Sequence, residues 1–254
     1  LVEVGMGSVL KCKGFRRGFW FYKFTSHIKT YNMNKYYKGE PKLLVSVDCI
    51  VLGFENKKLQ LLVGKRKVEP YSGKLSLYGG FVREDESLKE AANRVLFQCT
   101  GINDIYMRQV GAFGETDRDP GDRVISIAYC ALINVSDYDN KLLEENDLQW
   151  VDINKLPELF GDHIEMVQIA LSQLRKLINK DPLGFNLLPE LFTLTQLQNV
   201  HEAIMGVEID KRNFRKRIKQ IDFIEKTKYI DKITSKRGAA LYRINKQAYS
   251  DASL

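Results

Sequence analysis

The segment GFVREDESLKEAANRVLFQCTGI, residues 80–102, holds much of the chain's candidate chemistry. Gly80 opens it, an acidic loop follows, and Glu86 stands eight residues before Arg94. These two side chains are placed to pair across the loop and the helix after it. Carboxylates spaced i, i+3 and i+4 on such a helix would share one face and gather a divalent cation. The helical half, RVLFQC, has no carboxylate. A second charged stretch, GETDRDPGDR at 114–123, carries Asp117, Arg118 and Arg123. A third, DKRNFRKR at 210–217, is basic and interrupted by one Asn and one Phe. Cationic side chains at that density suit phosphates and base edges.

The elements that must hold these residues follow from the apolar pattern. LLVSVDCIVLGF (43–54) and LQLLVGKR (59–66) read as strands, joined by the turn-like ENKK into a hairpin. PYSGKLSLYGG (70–80) holds turn residues and a short strand. SLKEAANRVLFQCTG (87–101) reads as a helix with Ser87 as N-cap, an apolar stripe of Leu88, Ala91, Ala92, Val95, Leu96 and Cys99, and Gly101 as its stop. IYMRQVGAF (105–113) and VISIAYCALI (124–133) read as strands, the second buried, and LQWVDINKLPEL (148–159) closes the pattern. One helix among strands is mixed α/β, and the absence of a regular βαβ alternation disfavours a doubly wound sheet.

After this, DHIEMVQIALSQLRKLINK (162–180) carries Ile164, Val167, Ala170, Leu171, Leu174 and Leu177 on one helical stripe. That stripe packs on its own domain or serves dimerisation. DPLGFNLLPE (181–190), with two prolines and a glycine, marks a domain boundary. TLTQLQNVHEAIMG (193–206) reads as an amphipathic helix with Thr193 and Thr195 as candidate caps and Gly206 as its end. A second helix opens at Asp210, and residues 222–249 read as two strands joined by a long basic loop. Helix, turn, basic helix and hairpin make a winged helix-turn-helix. From Lys211 to Lys246 thirteen basic residues face three acids, an excess of ten against a whole-chain net charge of +7. A charge run is usually a solvated face, but this one coincides with both elements that such a fold presents to DNA.

Composition narrows the field further. The four cysteines, Cys12, Cys49, Cys99 and Cys130, are scattered and form no C-x-x-C pair. A zinc site and a disulfide framework are both disfavoured, and small buried thiols in a reducing cytoplasm are expected. No apolar run reaches the length of a membrane span. The basic, aromatic N-terminus lacks the order of a signal peptide. Met33 is the more natural start, so residues 1–32 are expected to be upstream translated sequence, with a basic arm touching DNA or membrane as the alternative. The expected divisions are an N-terminal extension over 1–40, a first domain over 41–160, a connecting helix and linker over 161–190, and a DNA-binding domain over 191–254.

Residues 80–102 resemble the Nudix box, G-x5-E-x7-R-E-U-x-E-E-x-G-U with U aliphatic. Gly80, Glu86, Arg94, Leu96, Gly101 and Ile102 fit its spacing. The resemblance puts the three metal-binding carboxylates at Val95, Gln98 and Cys99, where none is present. Val95 offers no ligand, Gln98 one neutral carbonyl, and Cys99 a soft sulfur unsuited to magnesium. Without the metals, nothing in the box neutralises a diphosphate or activates water. What stays is the brace of Gly80, Glu86, Arg94 and Gly101. With DKRNFRKR and RGAALYR, the chain from about 41 to 249 resembles the Nudix-related transcriptional regulators, and its appearance is similar to their arabinose-responsive branch.

That resemblance implies a Nudix-like mixed α/β sandwich followed by a winged helix, without catalysis, metal or cofactor. It implies a cytoplasmic homodimeric repressor of pseudo-palindromic operator DNA. The DNA contacts would come from Lys211, Arg212, Asn213, Arg215 and Lys216, from Lys236 and Arg237 at the wing, and from Thr195 and Gln196 at the preceding helix start. Phe214 and Ile218 would pack inward. A sugar (L-arabinose) or a nucleotide-sugar (such as ADP-ribose) would occupy the old catalytic pocket against Arg66, Tyr78, Gly79, Phe113, Asp117, Arg118 and Arg123. Each of these is as readily a surface ion pair or a structural residue when taken singly. The rival function is a Nudix hydrolase of nucleoside diphosphate derivatives, and a non-switching DNA-binding or scaffolding protein is a third reading.

Overall fold

The structure is a computed structural model that describes residues 37–69, 71–102, 105–135, 145–178, 183–233, 237–245 and 247–248. Contacts divide the chain after Pro41, and Lys42–Leu254 forms the larger compact unit. The N-terminal segment 1–32, Cys12 and Lys236 lie outside the described residues.

Seven strands form one mixed sheet: β1 (Leu44–Glu55), β2 (Lys58–Lys65), β3 (Leu75–Ser76), β4 (Tyr78–Phe81), β5 (Met107–Phe113), β6 (Val124–Asn134) and β7 (Leu148–Asp152). β1 runs parallel to β6 along its whole length, from Leu44 beside Val124 to Phe54 beside Asn134. Its other edge is shared. Ser46–Cys49 pair with β4, and Leu52–Glu55 pair with β2. β2 pairs with β7 along its other edge from Gln60 to Gly64, and past its β1 pairing Gly64 and Lys65 pair with β3. A cleft lies between the ends that have parted.

Both faces of β1 are covered, which explains its nearly unbroken apolar run. Val47, Cys49 and Val51 face α1 (Leu88–Thr100), packing on Ala91, Ala92, Val95, Leu96 and Cys99. Ile50 and Leu52 face α2 (His163–Leu177), packing with Met166, Val167, Ala170, Leu171 and Leu174. Leu88, expected on the buried stripe of α1, stands at the rim, 36% exposed. In α2 the stripe centres on Met166 rather than on Ile164 and Leu177, which are only partly buried. Ser87 and Glu90 form a capping box at the start of α1, and Gly101 ends it at φ 69°, a left-handed turn that glycine adopts without strain. The edge strand β5 is bulged at Val110, whose carbonyl accepts from Gln173 Nε2 at 2.9 Å. Helix and bulge together blunt an edge that would otherwise invite pairing.

The C-terminal part holds β8 (Phe192–Thr193), α3 (Leu194–Met205), α4 (Lys211–Ile218), β9 (Ile224–Asp231) and β10 (Ala239–Ile244), with strand order β8-β10-β9. The two-residue strand β8 was not anticipated from sequence; it is too short to show a period. Thr193, not Thr195, is the cap of α3, in a box with Gln196. Gly206 stops α3 at φ 72°. Asp210 caps α4 through the Asn213 N–H at 2.8 Å. Phe214 and Ile218 are 1% and 2% exposed, so α4 is anchored by one apolar row with its basic residues outward. Burying the Phe214 ring is worth roughly 1.5–3 kcal/mol, enough to fix so short a helix in orientation. The core is continuous from Ile50 and Leu52 through α2, Leu187, Leu188 and Phe192 to Leu197, Val200, Ile204 and Phe214.

Candidate effector cleft and DNA-binding surface

The loop after β4 turns sharply into α1, and Arg94 holds that turn. Its guanidinium donates to Glu86 Oε1 at 2.6 Å, to Glu86 Oε2 at 2.9 Å, and to the Phe81 carbonyl at 2.9 Å. The Arg83 N–H donates to the same carboxylate at 2.9 Å. The Arg94 hydrogen bonds, helped by Arg83, hold Glu86 down at about 2. Glu86 is therefore committed to the brace.

The helix positions that a metal would need do not fit one. Val95 is fully buried, and a Cβ on Gly80 would lie 3.1 Å from its methyl group. Cys99 is buried with Sγ bonded to the Leu96 carbonyl, and burial pushes its thiol up to about 12. Gln98 points outward, exposed. Among the described residues no group of three or more His, Cys, Asp or Glu is arranged to hold a metal ion. Cys49, Cys99 and Cys130 are all buried.

The cleft encloses about 500 Å³, within the range of small-molecule sites. Its floor is a buried charge cluster that no short motif announces. Arg118 and Asp162 form a two-pronged pair, Nε to Oδ2 and Nη2 to Oδ1, both 2.8 Å. Asp48 Oδ2 lies 3.7 Å from Arg118 Nη2 and accepts from the Ser126 hydroxyl. His163 Nδ1 accepts from the Leu77 N–H at 3.1 Å, which leaves Nε2 directed to Asp48 Oδ1 at 3.8 Å. Burial, reinforced by Arg118 and Arg66 against Asp48 and Asp162, lowers the His163 pKa and favours the neutral ring. Burial pulls Arg118 down, but Asp162, Asp48 and Asp119 more than offset it. Gly79 is required here: a Cβ would stand 2.2 Å from Asp48 Oδ1 and 2.8 Å from the Val47 carbonyl.

One wall is cationic and aromatic. The Arg66 guanidinium carbon sits 4.1 Å over the Phe160 ring, with Nη2 3.9 Å from Asp119. Phe160 meets His163 edge-on at 5.7 Å. Of the residues expected at this site, Arg66, Tyr78, Gly79 and Arg118 line the cleft. Phe113, Asp117 and Arg123 do not. Phe113 packs against the main core, Asp117 is exposed, and Arg123 Nη1 turns back to the Glu115 carbonyl at 3.0 Å. The charged loop turns Arg118, Asp119 and Asp122 to the cleft instead. Sequence reasoning passed over Asp48, Ser126, Asp162 and His163. Asp48 carried a signal, being the lone charge in an apolar strand.

On the winged helix, Lys211, Arg212, Asn213, Arg215 and Lys216 are exposed on α4, and Arg237 is exposed on the wing. Thr195 is exposed at the start of α3, whereas the Gln196 side-chain Oε1 accepts from the Thr193 N–H at 2.7 Å. Arg243 is bound to Glu225 at 2.9 Å. Behind α4, His201 packs edge-on to Phe214 at 5.1 Å and has Arg217 Nη2 3.5 Å from its Nδ1.

Comparison with known proteins agrees with this two-part layout. The NUDIX domain model matches residues 42–169, half of the chain, and the NrtR DNA-binding winged helix domain model matches residues 184–244. The chain belongs to the Nudix-related transcriptional regulators. This regulator is 34% identical over 220 residues to the ADPR responsive transcriptional repressor NtrR of Acinetobacter baylyi, covering 85% of this chain and 88% of the relative. It superposes on Shewanella oneidensis NrtR in complex with a 27mer DNA with a TM-score of 0.74 at 27% identity, covering 81% of this chain and 95% of that one. It is also 30% identical over 142 residues to an ADP-ribose pyrophosphatase of Methanocaldococcus jannaschii, covering 56% of this chain and 80% of that protein. The α/β Nudix fold and the winged helix expected from sequence are both present. The arabinose-responsive branch finds no support in these matches. Among the described residues, no helix of the regulator is long and apolar enough to cross a membrane.

Proposed function

We propose that the chain is a cytoplasmic repressor that binds operator DNA through α4 and its wing, and whose Nudix cleft senses ADP-ribose without cleaving it. The observation that carries the DNA reading is α4 itself. It is capped by Asp210, anchored by Phe214 and Ile218, and presents Lys211, Arg212, Asn213, Arg215 and Lys216 outward from one short helix. Such a helix fits the major groove, where Arg reads guanine and Asn reads adenine. Lys236, Arg237, Thr195 and Gln196 serve phosphates beside it. A pseudo-palindromic operator would be bound by a homodimer, with α2 and residues 161–190 between the sensing part at 41–160 and the DNA-binding part at 191–254.

The effector reading is supported by the ADP-ribose response named for the Acinetobacter relative and by the chemistry of the cleft. Arg66 and Arg118 suit a diphosphate, Asp48 and Asp119 suit ribose hydroxyls, and the aromatic wall of Phe160 and Tyr78 suits a base. The absence of catalysis is supported by the buried apolar and thiol side chains at Val95 and Cys99.

Fluorescence anisotropy on DNA from the chain's own upstream region, with and without ADP-ribose, tests both halves. Specific binding that ADP-ribose alters is the expected result. Arg212→Ala and Asn213→Ala should each weaken specific binding by about 1–3 kcal/mol per lost base contact. Unchanged affinity in both would show that α4 is not the reading element. Magnesium-dependent turnover of ADP-ribose that Glu86→Gln abolishes would make the chain a hydrolase and end the sensor reading.

A further inference from the structure

We infer that the Arg118–Asp162 ion pair is a switch through which a phosphate-bearing effector in the cleft acts on the winged helix, with α2 as the transmitting element. The inference rests on the reading of the cleft as an effector site. Its starting point is an oddity at the head of α2. Asp162 occupies the N-cap position, where an aspartate ordinarily accepts from the first-turn N–H groups. Here it makes no side-chain cap bond, and both its oxygens are held by Arg118 at 2.8 Å. The helix therefore starts without its cap, and the carboxylate that could supply one is engaged by a cleft-lining guanidinium.

A phosphate presents Arg118 with the same paired oxygens that Asp162 does. The two compete for one fork. Once displaced, Asp162 has partners within reach in the first turn of α2, where the Phe160 carbonyl takes the His163 N–H at 3.2 Å and the next two N–H groups have no intrahelical acceptor. The capped arrangement also needs Asp162 to move from φ −88°, ψ 10° to the extended backbone of an N-cap, so the two arrangements differ in the backbone at the head of α2 as well as in the side chains. An anionic ligand prefers the one in which Arg118 is free, and that differential affinity is what a switch requires.

The other end of α2 reaches the DNA-binding part. Arg175 Nε donates at 2.8 Å to the Ile204 carbonyl, in the last turn of α3. Met166, Val167, Leu171 and Leu174 share one core with Leu197, Val200, Ile204 and Phe214. A re-seated first turn of α2 thus bears on the α3–α4 pair, and α4 is the element that reads DNA.

The test uses the full chain with ADP-ribose and inorganic pyrophosphate as probes, titrated calorimetrically, alongside operator anisotropy and amide hydrogen exchange. Asp162→Asn removes the charge that holds Arg118 but keeps a side chain able to cap. Without effector it should move operator affinity toward the effector-saturated wild-type value, by about fivefold or more. Added ADP-ribose should then change it less than about twofold. Arg175→Met should bind ADP-ribose within about threefold of wild type and yet lose most of the effect on operator affinity. Wild-type coupling in both variants overturns the switch. If the wild-type chain binds neither probe, the effector reading fails, and hydrogen exchange still decides the switch. Asp162→Asn alone should slow exchange in the first turn of α2 and alter it after Ile204. Unchanged exchange at both places overturns the inference.

Discussion

Acidification should loosen the winged helix through His201, a ring that touches neither DNA nor effector in the proposed scheme. It is 2% exposed, stacked edge-on against Phe214, with Nε2 making no hydrogen bond among the described residues and Arg217 beside Nδ1. Burial, with Arg217 adding to it, lowers its pKa from 6.5 to about 4. In the unfolded chain the ring takes up a proton near 6.5, whereas in the fold it stays neutral to about 4. Its contribution is therefore complete above about pH 7.5 and is lost as pH falls through that window. At pH 5 the difference amounts to about 2 kcal/mol, a factor of about 30 in the folding equilibrium. The Glu86 carboxylate, held at about 2, titrates well below this range. His163, also lowered by burial, adds its own loss to the wild-type total. The isolating measurement is urea unfolding at pH 8 and pH 5 for wild type and His201→Gln. The variant's baseline stability is immaterial; its loss between the two pH values should be smaller by about 2 kcal/mol. Equal losses in the two proteins would show that the His201 ring is not held neutral by burial, and that the packing beneath α4 is not what the structure describes.

Three further outcomes rest on the same geometry. Gly79→Ala drives a methyl to within 2.2 Å of Asp48 Oδ1 and 2.8 Å of a backbone carbonyl, so thermal melting should show a loss of about 1–3 kcal/mol, with weaker ADP-ribose binding; a melt identical to wild type would refute the close approach. Val95→Glu, which formally restores one metal-binding carboxylate, buries an unpaired charge in the core and should destabilise by about 3 kcal/mol or more in urea unfolding, without magnesium-dependent hydrolysis. Asp210→Ala removes the α4 cap at a cost of about 1 kcal/mol, and operator anisotropy should register roughly fivefold weaker binding at constant salt.

What the sequence disclosed and what it hid divide along a physical line. α1 and α4 were legible because caps and apolar rows are local: Ser87, Gly101, Asp210, Phe214 and Ile218 stand within one or two turns of what they control. The Glu86–Arg94 brace is local in the same way, with seven residues between its partners. The floor of the cleft was hidden because its members come from four separated segments. Asp48 is on β1, Arg118 in a loop, Ser126 on β6, and Asp162 and His163 at the head of α2. Only the parallel register of β1 on β6, which sets Asp48 two residues from the Ser126 position, brings the first of these together. Phe113 was expected at the site as an aromatic wall, and Asp117 and Arg123 as ligand partners from the charged loop. The strand alternation and the loop's own hydrogen bonds turn them elsewhere.

The vacated carboxylate positions illustrate how far a short motif can be trusted. A metal-binding helix must keep its ligands at the surface of the pocket, where ions and water reach them. In this chain Val95 and Cys99 instead face β1 and β6, in the same cluster as Val47, Cys49 and Val51. The bare Gly80 leaves only 3.1 Å between a hypothetical Cβ and the Val95 methyl, so the space beside the brace is already filled. Charge at the cleft lies instead on Arg118 in the 114–123 loop, Asp162 at the head of α2 and Asp48 on β1, none of them on α1. α1 packs on the sheet, whereas α2 also shares a core with the winged helix. A ligand held by the α2 side of the cleft therefore has a mechanical route to α4 that a metal on α1 would not have.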